Sequence, residues 1–293
     1  MRAIKFSPIG YLRQFFADAA TSLRNVARDR AMLITIILVL LPWWTLVFIR
    51  QNTDWLWSFA EVFGLILIYW WMTRSRVLPA TEVKHPRAES LFAIALVAGW
   101  MIWRTGICTQ AFPFLPASFS CYQNVEYEVI PKVAELVVLP IAVLWVLGYR
   151  WRAQGLNWNW SAWWISVPAI LGLVAYGLVL HWNNLPEFGQ RIVEYFLAAG
   201  LPEEVLFRAV LFTRLEAWWR NSTWALFGAA VIFGLVHLPI DYLVFTSRDM
   251  REAWLTLLTF QMGMGVVLCF AYQRTRNVLP LAVVHALIDA LRI

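Results

Sequence analysis

Three short constellations in the last third of the chain set titratable side chains in apolar surroundings. Glu203 and Glu204 are adjacent within Gly200-Leu201-Pro202-Glu203-Glu204-Val205-Leu206-Phe207-Arg208. Phe233 is followed four residues later by His237, and His285 four residues later by Asp289. Residues four apart share a helix face, so Glu204 can pair with Arg208 and His285 can face Asp289. Glu203 points about 100° away from Glu204 and has no partner in its own helix. Two adjacent carboxylates in a low-dielectric site do not both ionise readily, which leaves one able to hold or take a proton. Peptide hydrolysis needs a base for the attacking water, a donor for the oxyanion and a proton for the leaving amine. One Glu and two His supply all three. The plainer alternatives are acidic residues in the first turn of a helix and histidines that bond a neighbouring helix.

The elements that position these groups follow from composition. Of 293 residues, 61% are hydrophobic and only 14% are charged, and there are 19 Trp and 19 Phe. Mean hydropathy is +0.61. Soluble domains carry about 25% charged residues, so a soluble enzyme, a disordered chain, a coiled coil and a disulfide scaffold are all excluded. The expectation is an all-α, polytopic transmembrane bundle of about eight or nine helices, with the catalytic helices in the C-terminal third. A helix needs about 17–25 apolar residues to cross the hydrocarbon core. Runs that approach this length lie at 31–49, 55–72, 88–103, 130–148, 163–181, 192–212, 223–240, 253–272 and 278–291. Trp43, Trp44, Trp55, Trp57, Trp70 and Trp71 sit at segment ends, where an indole favours the headgroup layer. Pro202 suits the first position of a helix, so the segment is expected to break and restart there, with both Glu residues at the positive end of the helix dipole. The chain divides into an N-terminal segment (1–30), N-terminal transmembrane helices (31–189) and a catalytic core (190–293).

The formal net charge of +6 marks loops facing anionic lipid rather than nucleic acid. With the N-terminus cytoplasmic and nine crossings, most Lys and Arg fall inside, notably in the loops around 74–87, 150–152, 214–220 and 274–276. This fits a multi-pass protein of the cell's inner, or plasma, membrane. Leu12, Phe15, Phe16, Ala19, Leu23 and Val26 recur at helical spacing, as in a helix lying in the membrane surface or one packed on the bundle. Cys108 and Cys121 share an outside loop, as a disulfide or as two thiols. In the first half the intramembrane charges are few: Glu61, and Lys132 with Glu135 three residues on, spaced for an ion pair.

The ordered motifs resemble the CPBP family, the type II CAAX prenyl endopeptidases and their bacterial relatives. The family pattern is Glu-Glu-x-x-x-Arg, then Phe-x-x-x-His, then His-x-x-x-Asn/Asp, and residues 190–293 carry all three in order. The resemblance implies a glutamic-type intramembrane endopeptidase that uses an activated water and no cofactor. It implies that Glu203 is the general base, that His237 helps hold the water, and that Glu204 and Arg208 form a supporting pair. His285 and Asp289 would line the oxyanion site. The last position is often Asn in the prenyl-protease branch. An ionised Asp cannot donate, so Asp289 is expected to orient His285 instead.

A two-His-one-carboxylate metal site built from Glu203, His237 and His285 is the alternative within chemistry. A transporter or an immunity-type membrane protein is the alternative outside it. The expected partners are the bilayer and a membrane-anchored protein or peptide. It would be cut near a C-terminal membrane anchor, as by the family's sortase-like members, or at a CAAX-like tail.

Overall fold

The computed structural model describes residues 8–28, 54–74, 76, 83–112, 125–150 and 155–291. The expected segment 31–49 and Cys121 lie outside these residues. Among the described residues the elements are all helical. They are α1 (Pro8–Arg28), α2 (Asp54–Thr73), α3 (Pro86–Cys108), α4 (125–146), α5 (Trp160–Leu180), α6 (185–219), α7 (Ser222–Phe245), α8 (Met250–Thr275) and α9 (Val278–Ala290). Among the described residues, five helices are long and apolar enough to cross a membrane: α3, the 129–146 part of α4, α5, α7 and α8. The apolar stretches Ala60–Thr73 and Val278–Ala290 are shorter. Large apolar side chains such as Val146, Val179, Ile130 and Trp145 are more than 70% exposed, a surface suited to lipid rather than water. Cys108 is disulfide-bonded and Cys269 is a buried free thiol.

Sequence chemistry sets the helix ends. Asn159, Asn221, Asn277 and Asp249 begin α5, α7, α9 and α8, each side chain accepting from backbone N–H groups of the first turn, which satisfies donors the helix cannot. Two turns use the same pair of residues. Arg220 ends α6 in the left-handed region (φ 51°) and Asn221 caps α7; Arg276 ends α8 (φ 46°) and Asn277 caps α9. These two-residue Arg-Asn connections bind consecutive helices as antiparallel neighbours.

Pro202 does not interrupt its segment. Helix α6 runs through it, and the expected restart, with both Glu residues at a dipole end, is overturned. The helix accommodates the missing N–H by widening: the 196–200 turn before Pro202 and the 204–212 stretch after it are π-helical, with the Leu201 N–H bonding Phe196 five residues back. Wide turns of this kind often mark functional sites. Similar ones follow Pro131 in α4 (134–138) and Pro239 in α7 (241–245).

Helix α8 is the inner element and packs on α2 and α7, while α9 packs between α5 and α6. Two glycines set close approaches. A Cβ on Gly265 would stand 2.8 Å from the Ala230 backbone, and one on Gly200 would stand 2.4 Å from the Ala282 carbonyl oxygen. The first draws α8 onto α7 and the second draws α9 onto α6.

The basic loops gather at one end of the bundle. Arg214 pairs with Glu89 at 3.4 Å, Arg276 with Glu216 at 2.5 Å, and Arg274 donates to Thr73 at 2.7 Å. Lys84 donates to the carbonyls of Leu147 and Gly148. Helix α1 meets the same end through polar side chains: Asp18 pairs with Arg74 and Ser22 accepts from the Trp70 indole, both at 3.2 Å. Phe16 and Leu23 of the expected apolar stripe stay exposed, an arrangement that suits a helix seated in a lipid surface.

Candidate active site

The three sequence motifs converge in space. Gly200 lets α9 approach α6, and one turn further along each helix stand Glu204 and His285. The His285 Nδ1 lies 2.9 Å from Glu204 Oε1. The Arg208 Nε lies 3.2 Å from the other Glu204 oxygen, with both side chains fully buried. Glu204 thus binds both its own helix and α9. A buried ion pair of this kind is costly to break from one side.

The aromatic residue of the second motif serves both neighbours. The Phe233 ring covers the Arg208 guanidinium at 4.5 Å, close enough for a cation–π contact. The Phe233 carbonyl accepts from His237 Nδ1 at 2.7 Å. Since a carbonyl cannot donate, the proton of neutral His237 belongs on Nδ1, and Nε2 presents its lone pair.

That Nε2 faces Glu203. Glu203 is buried, and its two oxygens look in different directions. Oε2 lies 3.6 Å from His237 Nε2 and 4.0 Å from His285 Nε2. Oε1 lies 3.8 Å from Lys132 Nζ, on α4. Asp289 Oδ2 lies 3.4 Å from His285 Nε2, the nitrogen that also faces Glu203. The structure therefore brings together all six residues singled out in the sequence: Glu203, Glu204, Arg208, His237, His285 and Asp289. Their internal arrangement differs from expectation at His285. Glu204 holds Nδ1, while Asp289 approaches Nε2, the nitrogen that faces Glu203.

Lys132 joins this cluster from the N-terminal half. Its spacing to Glu135 predicts a pair between them. Instead Glu135 accepts hydrogen bonds from the indoles of Trp100 (3.0 Å) and Trp103 (2.9 Å), and Lys132 reaches Glu203. The signal in the sequence was a lysine inside an apolar run, which is a functional candidate by default.

Chemically, the centre is a buried carboxylate with an imidazole lone pair and a second imidazole at one oxygen and an ammonium at the other. A water held between Glu203 Oε2 and His237 Nε2 would donate to both. His285, with Nδ1–H given to Glu204, donates from Nε2 only as imidazolium. Among the described residues no group of three or more His, Cys, Asp or Glu is spaced to hold a metal ion. Glu203 lies about four helical turns along α6 from its basic end at Trp219, across the widened stretch 204–212. His237 lies about 22 Å along α7 from Ser222. The site is thus remote from the basic loops.

Residues 186–291 match the family model described as type II CAAX prenyl endopeptidase Rce1-like. The match contains every residue of the three motifs and supports assigning this C-terminal part to the CPBP/CAAX protease family, a likeness that suggests a protease with a protein substrate in the bilayer. No curated protein and no solved structure matches the chain.

Proposed function

We propose that the protein is a glutamic-type intramembrane endopeptidase. The observation that carries this reading is the placement of Glu203 Oε2, on a buried side chain, opposite both His237 Nε2 and His285 Nε2. Glu203 takes a proton from a water that His237 helps to hold, and the water attacks the scissile carbonyl. His285, as imidazolium, donates to the oxyanion. Once the tetrahedral intermediate forms, the proton on Glu203 passes to the leaving amine. Glu204 and Arg208 keep His285 and the helix face in register. Asp289 stabilises the charged imidazole and is not itself the base. In this reading residues 190–293 form the catalytic core and the helices of 31–189 enclose it.

The substrate is a membrane-anchored protein. The cut falls near a C-terminal anchor on an exported protein, or at a CAAX-like tail. The depth of Glu203 and His237 below the basic end favours the first. If the basic end is cytoplasmic, as the positive-inside bias predicts for an N-terminus inside the cell's plasma membrane, the site opens toward the opposite side. Purified protein in lipid nanodiscs, given a membrane-tethered quenched-fluorescent peptide with and without a strong chelator, tests the reading. Cleavage that resists chelation and is lost in Glu203→Gln supports it. Cleavage abolished by the chelator and restored by added metal replaces it with a metalloprotease.

A further inference from the structure

We propose that Lys132 is a positioning residue of this site: its ammonium draws one oxygen of Glu203 toward α4, which leaves the other oxygen facing the two imidazoles and the water. The inference rests on the reading of Glu203 as general base. Lys132 is only 4% exposed, and its Nζ lies 3.8 Å from Glu203 Oε1. A lysine is seldom placed among apolar helices without a charge to answer it. The separation is that of an ion pair without a tight hydrogen bond, so Lys132 acts through its field and leaves the carboxylate oxygen able to move.

The lysine is held in place by its neighbours on α4. Pro131 and the wide turn at 134–138 shape the helix at this level. Glu135, three residues on, is clamped to α3 by the two indole N–H donors of Trp100 and Trp103. Lys132 is thereby presented to α6 by a helix outside the 186–291 family match.

Electrostatics gives the lysine its purpose. Glu203 is faced by His237 from α7, by His285 from α9 with Asp289 at the same ring nitrogen, and by Lys132 from α4, and Glu204 is its neighbour on its own helix. Glu204 and Asp289 oppose a charge on Glu203. A general base must be ionised to accept the proton, and a cation within about 4–6 Å favours that form.

The test compares wild type, Lys132→Met and Lys132→Arg as full chains in nanodiscs. The probe is a quenched-fluorescent peptide tethered by a C-terminal membrane anchor, and cleavage is followed against pH. In parallel, infrared difference titration follows the Glu203 carboxyl, assigned by the band that Glu203→Gln removes. In Lys132→Met the acid limb of the kcat profile and the infrared midpoint should move up by about one pH unit or more. At neutral pH kcat should fall with KM nearly unchanged, and Lys132→Arg should restore both profiles. An unmoved infrared midpoint in Lys132→Met, whatever the variant's abundance, would overturn the proposal. The infrared titration needs no turnover, so it decides the matter even if the peptide is not cut. Wild-type cleavage by Glu203→Gln would remove the function of Glu203 without touching that titration.

Discussion

The Nδ1 of His285 lies 2.9 Å from a carboxylate oxygen of Glu204, across 81 residues of sequence and between α6 and α9. This contact ties the first motif to the third. It also decides which end of the imidazole is available, since Nδ1 is occupied and Nε2 points toward Glu203 and Asp289. The second carboxylate of the Glu-Glu pair thus orients His285 with Arg208 behind it, while the first faces His237, His285 and Lys132.

His285→Ala should lose about 2.7–4 kcal/mol of transition-state stabilisation, the usual cost of one oxyanion donor. Asp289→Asn should keep substantial activity, because the ring orientation comes from Glu204. Cleavage assays at matched membrane abundance separate the two. Asp289→Asn as inactive as Glu203→Gln would mean that Asp289 is a catalytic carboxylate.

Arg208→Ala should damage the fold as well as the activity. The guanidinium is fully buried against Glu204 and beneath the Phe233 ring, and removing one partner of a buried pair costs about 3–5 kcal/mol. Protonation of Glu204 would soften this. A variant as abundant and heat-resistant as wild type would contradict the structural role given to the pair.

Gly200→Ala should be destabilising although alanine is the better helix former by about 1 kcal/mol. The added Cβ would meet the Ala282 carbonyl oxygen at 2.4 Å, and backbone cannot step aside as a flexible side chain can. Overpacking of this kind costs about 1–3 kcal/mol and would push His285 away from Glu204. Thermal melting in detergent and cleavage rate should both fall. An unchanged melting temperature would show that α9 has room to move.

Much of this arrangement was legible in the sequence where it depended on local rules. The run 223–240 becomes α7, and Asn221 supplies its cap. The i,i+4 spacing of Glu204 and Arg208 becomes an ion pair. Pro202 misled because a proline in water ends or starts a helix, whereas here neighbouring helices hold a widened turn around it. Lys132 was visible as a misplaced charge, but its partner lies on another helix. Spacing along one helix favoured Glu135, and nothing in a period of 3.6 reports that two tryptophans of α3 would claim that residue instead. The orientation of His285 was hidden for the same reason, since Asp289 shares its helix and Glu204 does not.

The most direct measurement is cleavage of a membrane-tethered peptide by purified Glu203→Gln in nanodiscs. The amide preserves size and hydrogen bonding but removes the base, so the variant should fold, melt near wild type and lose about 10²–10⁴-fold in rate. Near-normal turnover by a folded Glu203→Gln protein would contradict the account at its centre.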